Sequence, residues 1–343
     1  MVTSLPLRQL GTTDLELTRV GFGAWAIGGG GWSFAWGPQD DNESIAAMNH
    51  AIERGINWID TAPVYGLGHS EEVVGRMLSG RDAGDRPFVF TKCGMIWGDD
   101  RMKDAVRSLG QIRRECEESL RRLRVERIDL YQFHWPDATG IPVEESWRVM
   151  EQLVEEGKVR AIGVSNFDTS LLRKIDALRH VDSLQPPFSL IRRDTAAAEI
   201  PWCNAHRTGV IAYSPMQSGI LTDSFTADKV KHMPDDDWRK RSPNFQTPRL
   251  EKNITLRDAL KPIAQRHDTT VAAIAVAWTL AWPGVTGAIV GARSPAQVDG
   301  WLDAATLDLT PGDFDEIAAA IDRLRVGSGP TRPASQARTR VAI

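Results

Sequence analysis

Four residues in the first half of the chain have side chains that suit proton transfer to a substrate oxygen. They are a carboxylate, a phenol, an ammonium and an imidazole: Asp60, Tyr65, Lys92 and His134. Three of them stand at the end of a short apolar run, in the segments NWID, FVFTK and DLYQFH, and Tyr65 follows shortly after Asp60 in DTAPVYG. This shared placement indicates that the four side chains serve one site.

The chemistry of this set points to a carbonyl group. A tyrosine with its ordinary pKa of about 10 is a poor acid at neutral pH unless its anion is stabilised. A lysine ammonium beside Tyr65 is expected to favour the phenolate, and a carboxylate such as Asp60 is needed to keep a buried Lys92 charged. His134 can hydrogen-bond the substrate oxygen. The set therefore predicts carbonyl reduction, with Tyr65 protonating the oxygen and a nicotinamide cofactor supplying the hydride.

The elements that must position these residues alternate between strand-like apolar runs and amphipathic stretches, which is typical of parallel βαβ units. Eight strands are predicted, near residues 20–27, 57–61, 88–93, 128–134, 159–165, 182–186, 209–214 and 287–291. The predicted fold class is therefore α/β, a (β/α)8 TIM barrel. Such barrels gather the C-terminal ends of their strands at one mouth, where their active sites lie.

Additional elements are expected at both ends of the barrel. Residues 7–19 predict an N-terminal β-hairpin that turns at Gly11–Asp14, and residues 311–325 predict an extra C-terminal helix. We expect a single barrel domain over residues 1–325, with the hairpin as its cap. The composition of residues 326–343 predicts a disordered tail.

Two long loops interrupt the alternation, at residues 28–39 and 222–250. Long loops inside a compact domain commonly bind or cover ligands, and both loops follow strands, so both are expected on the site face. Aromatic residues near the mouth indicate a pocket for an apolar or ring-bearing substrate, unless they only pack the loops. These residues are Trp32, Trp36, Trp97 and Trp135.

The overall composition argues against several other classes of protein. A formal net charge of −4, with acidic residues interleaved among the basic ones, disfavours a nucleic-acid partner. No run approaches the ~20 apolar residues that span a bilayer, and we expect no signal peptide. The cysteines Cys93, Cys116 and Cys203 form no metal-ligand cluster, so a cytoplasmic protein without a metal is predicted. GFGAWA at 21–26 matches the dinucleotide fingerprint only formally, because no helix follows it.

Several segments together resemble the aldo-keto reductase family. They are DTAPVYGLGHSEEVVG (60–75), TKCG (91–94), DLYQFHW (129–135), IGVSNF (162–167), YSPMQSGIL (213–221) and IVGARSPAQV (289–298). They occur in the family's order and span nearly the whole chain. The resemblance implies that Tyr65 is the general acid/base, that Lys92 and Asp60 tune it, and that His134 orients the carbonyl. It also implies an NADP(H)-dependent oxidoreductase that interconverts an aldehyde or ketone and an alcohol.

The resemblance further implies which residues contact NADP(H), which the family binds extended across the barrel mouth. Ser165, Asn166 and Gln185 match the positions that hydrogen-bond the carboxamide. Tyr213 matches the aromatic residue that stacks on the nicotinamide. The remaining expected contacts are Trp25, near the end of the first strand, and the residues of the loop near the pyrophosphate, Ser214, Pro215, Ser218, Gly219 and Leu221.

The turn after the eighth strand suits phosphate recognition. The segment from Gly291 to Ser294 leads directly into a predicted helix, whose N-terminal amides attract phosphate. Arg293 offers a planar fork for a 2′-phosphate, and Gln297 can reach the same group one turn later. This pattern favours NADP(H) over NAD(H). Trp301 stands where many relatives carry an asparagine that bonds the adenine.

The sequence is also compatible with other functions. A nucleotide-sensing module that acts on a protein partner, as potassium-channel β subunits do, would share the fold and the cofactor site. Taken singly, Asp60 could cap a strand, Lys92 could form a structural ion pair and His134 could be a core histidine. A barrel lyase or isomerase has no support, because the sequence offers no phosphate-substrate clamp and no carboxylate metal cluster. The expected partner is a small carbonyl or alcohol substrate, and a homo-oligomer is left open.

Overall fold

The computed structural model describes residues 5–98 and 106–333. The strands in these residues are β1 (Leu7–Gln9), β2 (Glu16–Thr18), β3 (Val20–Gly23), β4 (Trp58–Asp60), β5 (Phe88–Cys93), β6 (Met95–Ile96), β7 (Val106–Arg107), β8 (Ile128–Phe133), β9 (Val159–Ser165), β10 (Ser183–Gln185), β11 (Gly209–Tyr213) and β12 (Val285–Gly291). The α-helices are α1 (Asp41–Glu53), α2 (His69–Ser79), α3 (Ile112–Leu123), α4 (Val143–Glu155), α5 (Thr169–Asp176), α6 (Glu199–His206), α7 (Ala227–Lys231), α8 (Arg249–Ala259), α9 (Lys261–Arg266), α10 (Val271–Leu280), α11 (Pro295–Leu302) and α12 (Pro311–Leu324).

Most of these strands form one closed barrel. The order around it is β3, β4, β5, β8, β9, β10, β11 and β12, and β12 pairs back to β3. Every neighbouring pair is parallel. Each strand predicted from an apolar run is present, and helices connect successive strands around the outside. The predicted (β/α)8 TIM barrel is therefore confirmed.

The barrel interior is layered because side chains alternate along each strand. One layer is apolar, and its barrel residues are Trp58, Phe90, Leu130, Ala161, Ile211 and Ile289. Two residues beyond Trp58, Phe90 and Leu130 come Asp60, Lys92 and Gln132, which alternation places on the same inward face. A polar layer therefore lies directly on an apolar floor, at the C-terminal end of the barrel.

The predicted N-terminal hairpin closes the opposite end. Strands β1 and β2 pair antiparallel. Leu10, Leu15 and Leu17 of the hairpin region join the apolar cluster inside the barrel. Gly21 of β3 makes room for Trp58 of the same cluster, because a Cβ at this position would lie 2.1 Å from its indole. The hairpin thus packs against the apolar layer and closes the N-terminal end of the barrel.

Side-chain caps determine where several helices begin. The Asp40 carboxylate accepts a hydrogen bond from the Glu43 amide at 2.8 Å at the start of α1. Asp168 accepts two amides of the first turn of α5. Thr310 and Asp313 form a capping box at α12, which confirms the predicted C-terminal helix. Within residues 5–98 and 106–333, no helix is long and apolar enough to cross a lipid bilayer.

Two segments differ from the sequence-based expectation. The first strand ends at Gly23 and not at residue 27, because its register partner Asp60 is the last residue of β4. The chain then turns through a 3-10 helix at Trp25–Ile27. The loop at 222–250 contains short helical segments, α7 and two 3-10 helices at Trp238–Arg241 and Pro243–Phe245.

The residues after α12 fold back onto the barrel as far as the structure describes them. Arg193 Nε donates to Pro330 O at 3.1 Å and Nη2 donates to Val326 O at 2.9 Å. The Val326 side chain is buried. Residues 326–333 therefore supply acceptors that the buried guanidinium of Arg193 needs, and the disorder expected of the tail stays a prediction. Residues 334–343 lie outside the described residues.

Candidate active site

The four predicted catalytic residues meet at the C-terminal end of the barrel. Lys92 Nζ lies 2.6 Å from Asp60 Oδ1, and it also donates to the main-chain oxygen of Thr61 at 2.8 Å. The same nitrogen lies 3.4 Å from Tyr65 Oη. The rings of Tyr65 and His134 are 5.6 Å apart and nearly perpendicular. Strand ends that are distant in the sequence thus place all four groups around one point.

The second oxygen of Asp60 is held by glutamines. Gln185 Nε2 donates to Oδ2 at 2.9 Å, and Gln132 Nε2 lies 3.5 Å from the same oxygen. Gln132 faces Lys92 directly in the register of β8 and β5. It was not among the residues singled out from the sequence, although it precedes His134 by two positions, so strand alternation places both on one face. Both carboxylate oxygens of Asp60 are therefore fixed.

The turn after β4 brings Tyr65 over the strand ends. Gly66 follows it with φ at 65°, and a Cβ there would lie 2.0 Å from Gly28 O, so this contact requires glycine. Burial, with the carboxylate of Asp60, raises the pKa of Tyr65 well above its usual value. This direction is opposite to the effect expected from Lys92 alone, because burial outweighs the ammonium at 3.4 Å. Tyr65 therefore carries its proton at neutral pH.

His134 is neutral at the same pH. Burial and the nearby ammonium of Lys92 hold the pKa of His134 well below its usual value. Its Nδ1 is buried, and the part of the chain that the structure describes offers this atom no hydrogen-bond partner. A neutral imidazole can donate one N–H to a substrate oxygen without giving up the proton.

A chain of hydrogen bonds joins the predicted carboxamide-binding residues to the catalytic group. Tyr213 Oη donates to Asn166 Oδ1 at 2.8 Å, and Asn166 Nδ2 donates to Ser165 Oγ at 3.0 Å. Ser165 Oγ donates to the main-chain oxygen of Gln185 at 2.8 Å. Because the Gln185 side chain binds Asp60, the ends of β9, β10 and β11 are connected to the Asp60–Lys92 pair.

The predicted pyrophosphate loop has an unusual backbone. Ser214, Ser218 and Gly219 have φ values of 57°, 54° and 97°. Left-handed residues of this kind can turn backbone amides towards an anion. Pro215 and Leu221 are buried, and Leu221 is fully enclosed in the core. Only the backbone of Leu221 is therefore suited to face a ligand.

The predicted adenosine-phosphate site lies at the start of α11. The Arg293 amide donates to Gln297 Oε1 at 2.9 Å, and Gly291 is exposed beside them. The guanidinium of Arg293 turns towards the first long loop and binds acceptors in residues 36–39. Trp301 is buried in the core, so its side chain is not available to an adenine.

Aromatic rings cover the catalytic end. Trp25 stacks on Tyr65 with ring centroids 6.1 Å apart and on Trp238 with centroids 5.2 Å apart. The Trp36 ring is nearly perpendicular to the rings of Trp25 and Trp238, with ring centroids 5.4 and 6.0 Å away. Trp32 lies 6.4 Å from Tyr65. Trp238 was missed from the sequence, because nothing in the 222–250 segment shows which of its residues reaches the mouth.

The other two predicted pocket residues have different surroundings. Trp97 packs against the buried cluster that contains Trp32 and Val64, beside Tyr65. The Trp135 ring lies against Arg107, whose guanidinium carbon is 4.9 Å from the ring centroid. Trp135 thus packs against Arg107 and is not part of the aromatic cluster around Trp25.

The two long loops bind each other over the mouth. The Trp238 amide donates to Ala35 O at 3.1 Å. The guanidinium carbon of Arg239 lies 4.3 Å from the centroid of the Trp36 ring, and its Nη1 donates to Ser218 O at 3.4 Å. Residues 28–39 and 222–250 therefore form one cover, which extends from the aromatic cluster to the predicted pyrophosphate loop.

The donor groups along this face fit a nicotinamide dinucleotide. Hydroxyl and amide side chains stand at the ends of β9 and β10, left-handed backbone follows β11, and a guanidinium stands beside the start of α11. Their order along the mouth suits a carboxamide, a pyrophosphate and an adenosine phosphate. Within residues 5–98 and 106–333, no carboxylate forms an ion pair with Arg293, so its positive charge is available to an anion.

A buried glutamate supports the strand end that carries Lys92. Glu115 Oε2, on α3, accepts the amide of Gly94 at 2.9 Å. Its Oε1 is buried, and the described residues provide no hydrogen-bond partner for it. Burial raises the pKa of Glu115 from 4.5 to about 7, and the nearby carboxylates of Glu118 and Glu71 act in the same direction.

Replacing Glu115 with glutamine is expected to stabilise the fold at pH 8 and to change little at pH 4.5. The folded chain keeps the proton up to about pH 7, while the unfolded chain loses it near 4.5, so stability falls as the pH rises between these values. At roughly 1.4 kcal/mol per pH unit, the loss is about 3 kcal/mol. Urea unfolding of both proteins across this pH range measures it.

The matched control for this prediction is Glu145→Gln, which removes an exposed carboxylate from α4. This variant should follow the wild-type pH dependence. If Glu115→Gln also follows the wild-type curve, the carboxyl group of Glu115 is already ionised at low pH and the assigned pKa is wrong.

Comparison with known proteins agrees with the fold and the site. The family model described as the Aldo/keto reductase family matches residues 19–322. The aldo-keto reductase YhdN of Bacillus subtilis is 34% identical over 316 residues, which cover 92% of this chain and 93% of that protein. The NADH-specific methylglyoxal reductase of Escherichia coli is 34% identical over 330 residues, covering 92% and 98%.

A solved structure shows the same similarity in three dimensions. The glycerol dehydrogenase of Gluconobacter oxydans superposes with a TM-score of 0.84 at 37% identity, covering 95% of this chain and 98% of that one. The chain therefore belongs to the aldo/keto reductase family. It is an oxidoreductase of carbonyl and alcohol groups, of a family that uses nicotinamide cofactors.

Proposed function

We propose that the protein catalyses the NADP(H)-dependent interconversion of a small aldehyde or ketone and its alcohol, with Tyr65 as general acid/base. The observation that carries this proposal is the contact between the Tyr65 hydroxyl and the buried Lys92–Asp60 pair at the barrel mouth. A phenol that keeps its proton at neutral pH can deliver it to an oxygen in reduction, and the same group accepts a proton in oxidation.

The neighbouring residues divide the remaining work. Lys92 Nζ, at 3.4 Å, offsets the charge that appears on Tyr65 Oη as the proton leaves. Asp60 keeps Lys92 charged in a site that otherwise disfavours the ammonium. The neutral imidazole of His134 donates a hydrogen bond to the substrate oxygen and orients it. A bound nicotinamide would supply the hydride.

Other residues of the mouth are proposed to hold the cofactor and the substrate. Ser165, Asn166 and Gln185 bind the carboxamide, and Tyr213 stacks on the ring. The backbone of residues 214–221 binds the pyrophosphate. Arg293 and Gln297 bind a phosphate group at the start of α11. The aromatic pocket over Tyr65 is formed by Trp32, Trp36, Trp97 and Trp238. Trp25, expected from the resemblance to contact the cofactor, stacks on Tyr65 and Trp238 and is proposed to border both sites.

Initial rates with a panel of carbonyl compounds test the proposal. Methylglyoxal and an aromatic aldehyde should be reduced by NADPH, and glycerol serves as an alcohol for the reverse direction, since relatives are named for glycerol and methylglyoxal. Reduction with either cofactor supports the reaction class. Tight NADPH binding without turnover of any compound would favour a nucleotide-sensing module instead.

The preference for NADPH over NADH is proposed from Arg293, and it is tested by Arg293→Ala. The variant should bind NADPH about tenfold or more weakly and NADH as before, because only NADPH carries the 2′-phosphate. The E. coli relative is NADH-specific, so both cofactors are titrated by fluorescence. Equal weakening of the two would remove Arg293 from the 2′-phosphate site.

A further inference from the structure

Gln39 and Arg293 form a reciprocal pair across the mouth. Arg293 Nε donates to Gln39 Oε1 at 2.5 Å, and Gln39 Nε2 donates to the main-chain oxygen of Arg293 at 3.0 Å. Gln39 stands at the end of the first long loop, one residue before the cap of α1. The pair therefore ties this loop to the turn that precedes α11, although 254 residues separate its members.

The rest of the guanidinium is bound by the same loop. Arg293 Nη1 donates to Trp36 O at 3.3 Å, and Nη2 donates to Pro38 O. All three acceptors are neutral, so none of them cancels the charge of the cation. A guanidinium has five N–H groups, and three such bonds leave two for another acceptor. The arginine is thus oriented by neutral partners and keeps both charge and donors for an anion.

Ordering the Arg293 side chain only when the cofactor binds would cost free energy. Burial and the positive charge of Arg239 lower the pKa of Arg293, so the cation lies in a place that does not favour it. A long side chain that must be ordered on binding costs rotamer entropy. The neutral acceptors of the loop order the Arg293 side chain before the cofactor binds. They remove this entropy cost and do not compete with a phosphate for the positive charge.

We propose that Gln39 is a positioning residue for the 2′-phosphate of NADP(H), acting through Arg293. The inference rests on the proposed NADP(H)-dependent function and adds a residue from the opposite side of the mouth to it. Trp36 belongs both to the loop that orders Arg293 and to the aromatic cluster at the substrate side. The phosphate site and the substrate pocket therefore share one segment of chain.

The test is a double-mutant cycle on cofactor affinity. Gln39→Leu, Arg293→Ala and the double variant are titrated with NADPH and NADH, and dissociation constants are obtained from fluorescence. Gln39→Leu should weaken NADPH about tenfold, the size typical of a hydrogen bond to a charged group, and leave NADH unchanged. In the Arg293→Ala background the same substitution should have no further effect, because the group it positions is gone.

A second variant separates positioning from loop stability. Gln39→Glu keeps the length and an acceptor for Arg293 but adds a negative charge, which competes with the phosphate. It also loses the donor to the main-chain oxygen of Arg293, so its melting temperature is measured beside its affinities. It should weaken NADPH selectively, whereas a mere loss of loop stability would lower the melting temperature and weaken both cofactors. Equal loss of both cofactors in Gln39→Leu, or an undiminished effect in the double variant, would overturn the inference.

The cycle also distinguishes this inference from the proposed function. If Arg293→Ala lowers NADPH affinity selectively but Gln39→Leu does not, the 2′-phosphate site stands and the role of Gln39 is rejected. If neither cofactor binds the wild-type protein, the proposed function fails, and the inference fails with it.

Discussion

Tyr65→Phe is expected to abolish carbonyl reduction while NADPH still binds. The substitution removes one oxygen, and with it the proton that the substrate oxygen needs. Positioned acid/base groups typically contribute 10²–10⁴ in rate, so kcat should fall by about a thousandfold. The only hydrogen bond shown for this hydroxyl within the described residues is the one from Lys92, so the barrel should remain folded. Steady-state kinetics and a parallel NADPH titration measure both quantities.

The chain contains a matched control for this experiment. Tyr131 is fully buried in β8, and its hydroxyl donates to Ile112 O at 3.4 Å on the helix side of the strand. Tyr131→Phe removes the same atom from another buried tyrosine and should leave kcat close to the wild-type value. Near-normal turnover in Tyr65→Phe would exclude Tyr65 from the acid role and would leave the proposed mechanism without a proton donor.

Asp60→Asn is expected to destabilise the protein strongly as well as to inactivate it. Lys92 is completely buried, and burial lowers its pKa while Asp60 opposes that shift. Without the carboxylate, the chain must either bury an unpaired ammonium or release its proton. Removing one partner of a buried ion pair costs about 3–5 kcal/mol. Urea unfolding at pH 7 gives the change in the free energy of unfolding.

Removing both charges separates stability from catalysis. The double variant Asp60→Asn with Lys92→Met leaves no ion to solvate, and replacing a whole buried pair by neutral groups is often nearly neutral for stability. We expect it to recover most of the free energy lost in Asp60→Asn and to stay inactive. A double variant as unstable as the single one would mean that Asp60 stabilises the fold through its glutamine contacts and not through Lys92.

The predicted residues that the structure brings to one mouth share a simple physical basis. Asp60, Lys92 and His134 end apolar runs, and the ends of parallel strands converge at one mouth. Local periodicity therefore suffices to bring them together once a barrel is assumed. The same rule extends to Gln132, two residues before His134, although an amide carries no obvious chemistry that would draw attention to it.

Other parts depend on contacts that no local pattern contains. Trp238 reaches Trp25 only because a helical segment after β11 folds back over the mouth. Gln39 meets Arg293 across most of the length of the chain. The pKa of Tyr65 is raised because the effect of burial exceeds the opposite effect of the Lys92 ammonium. Which effect is larger depends on distances that the sequence does not contain. The family resemblance implied a cofactor contact at Leu221, but it could not show that the side chain of this residue lies in the core.

The union of residues 28–39 with 222–250 has a practical consequence for protein engineering. A chimera that imports only one of these segments from a relative would separate Arg239 from the Trp36 ring and would no longer match the backbone shape that the hydrogen bond from the Trp238 amide to Ala35 O requires. Libraries that aim to change substrate choice should therefore vary the two segments as one cassette, since each segment supplies the partners of the other.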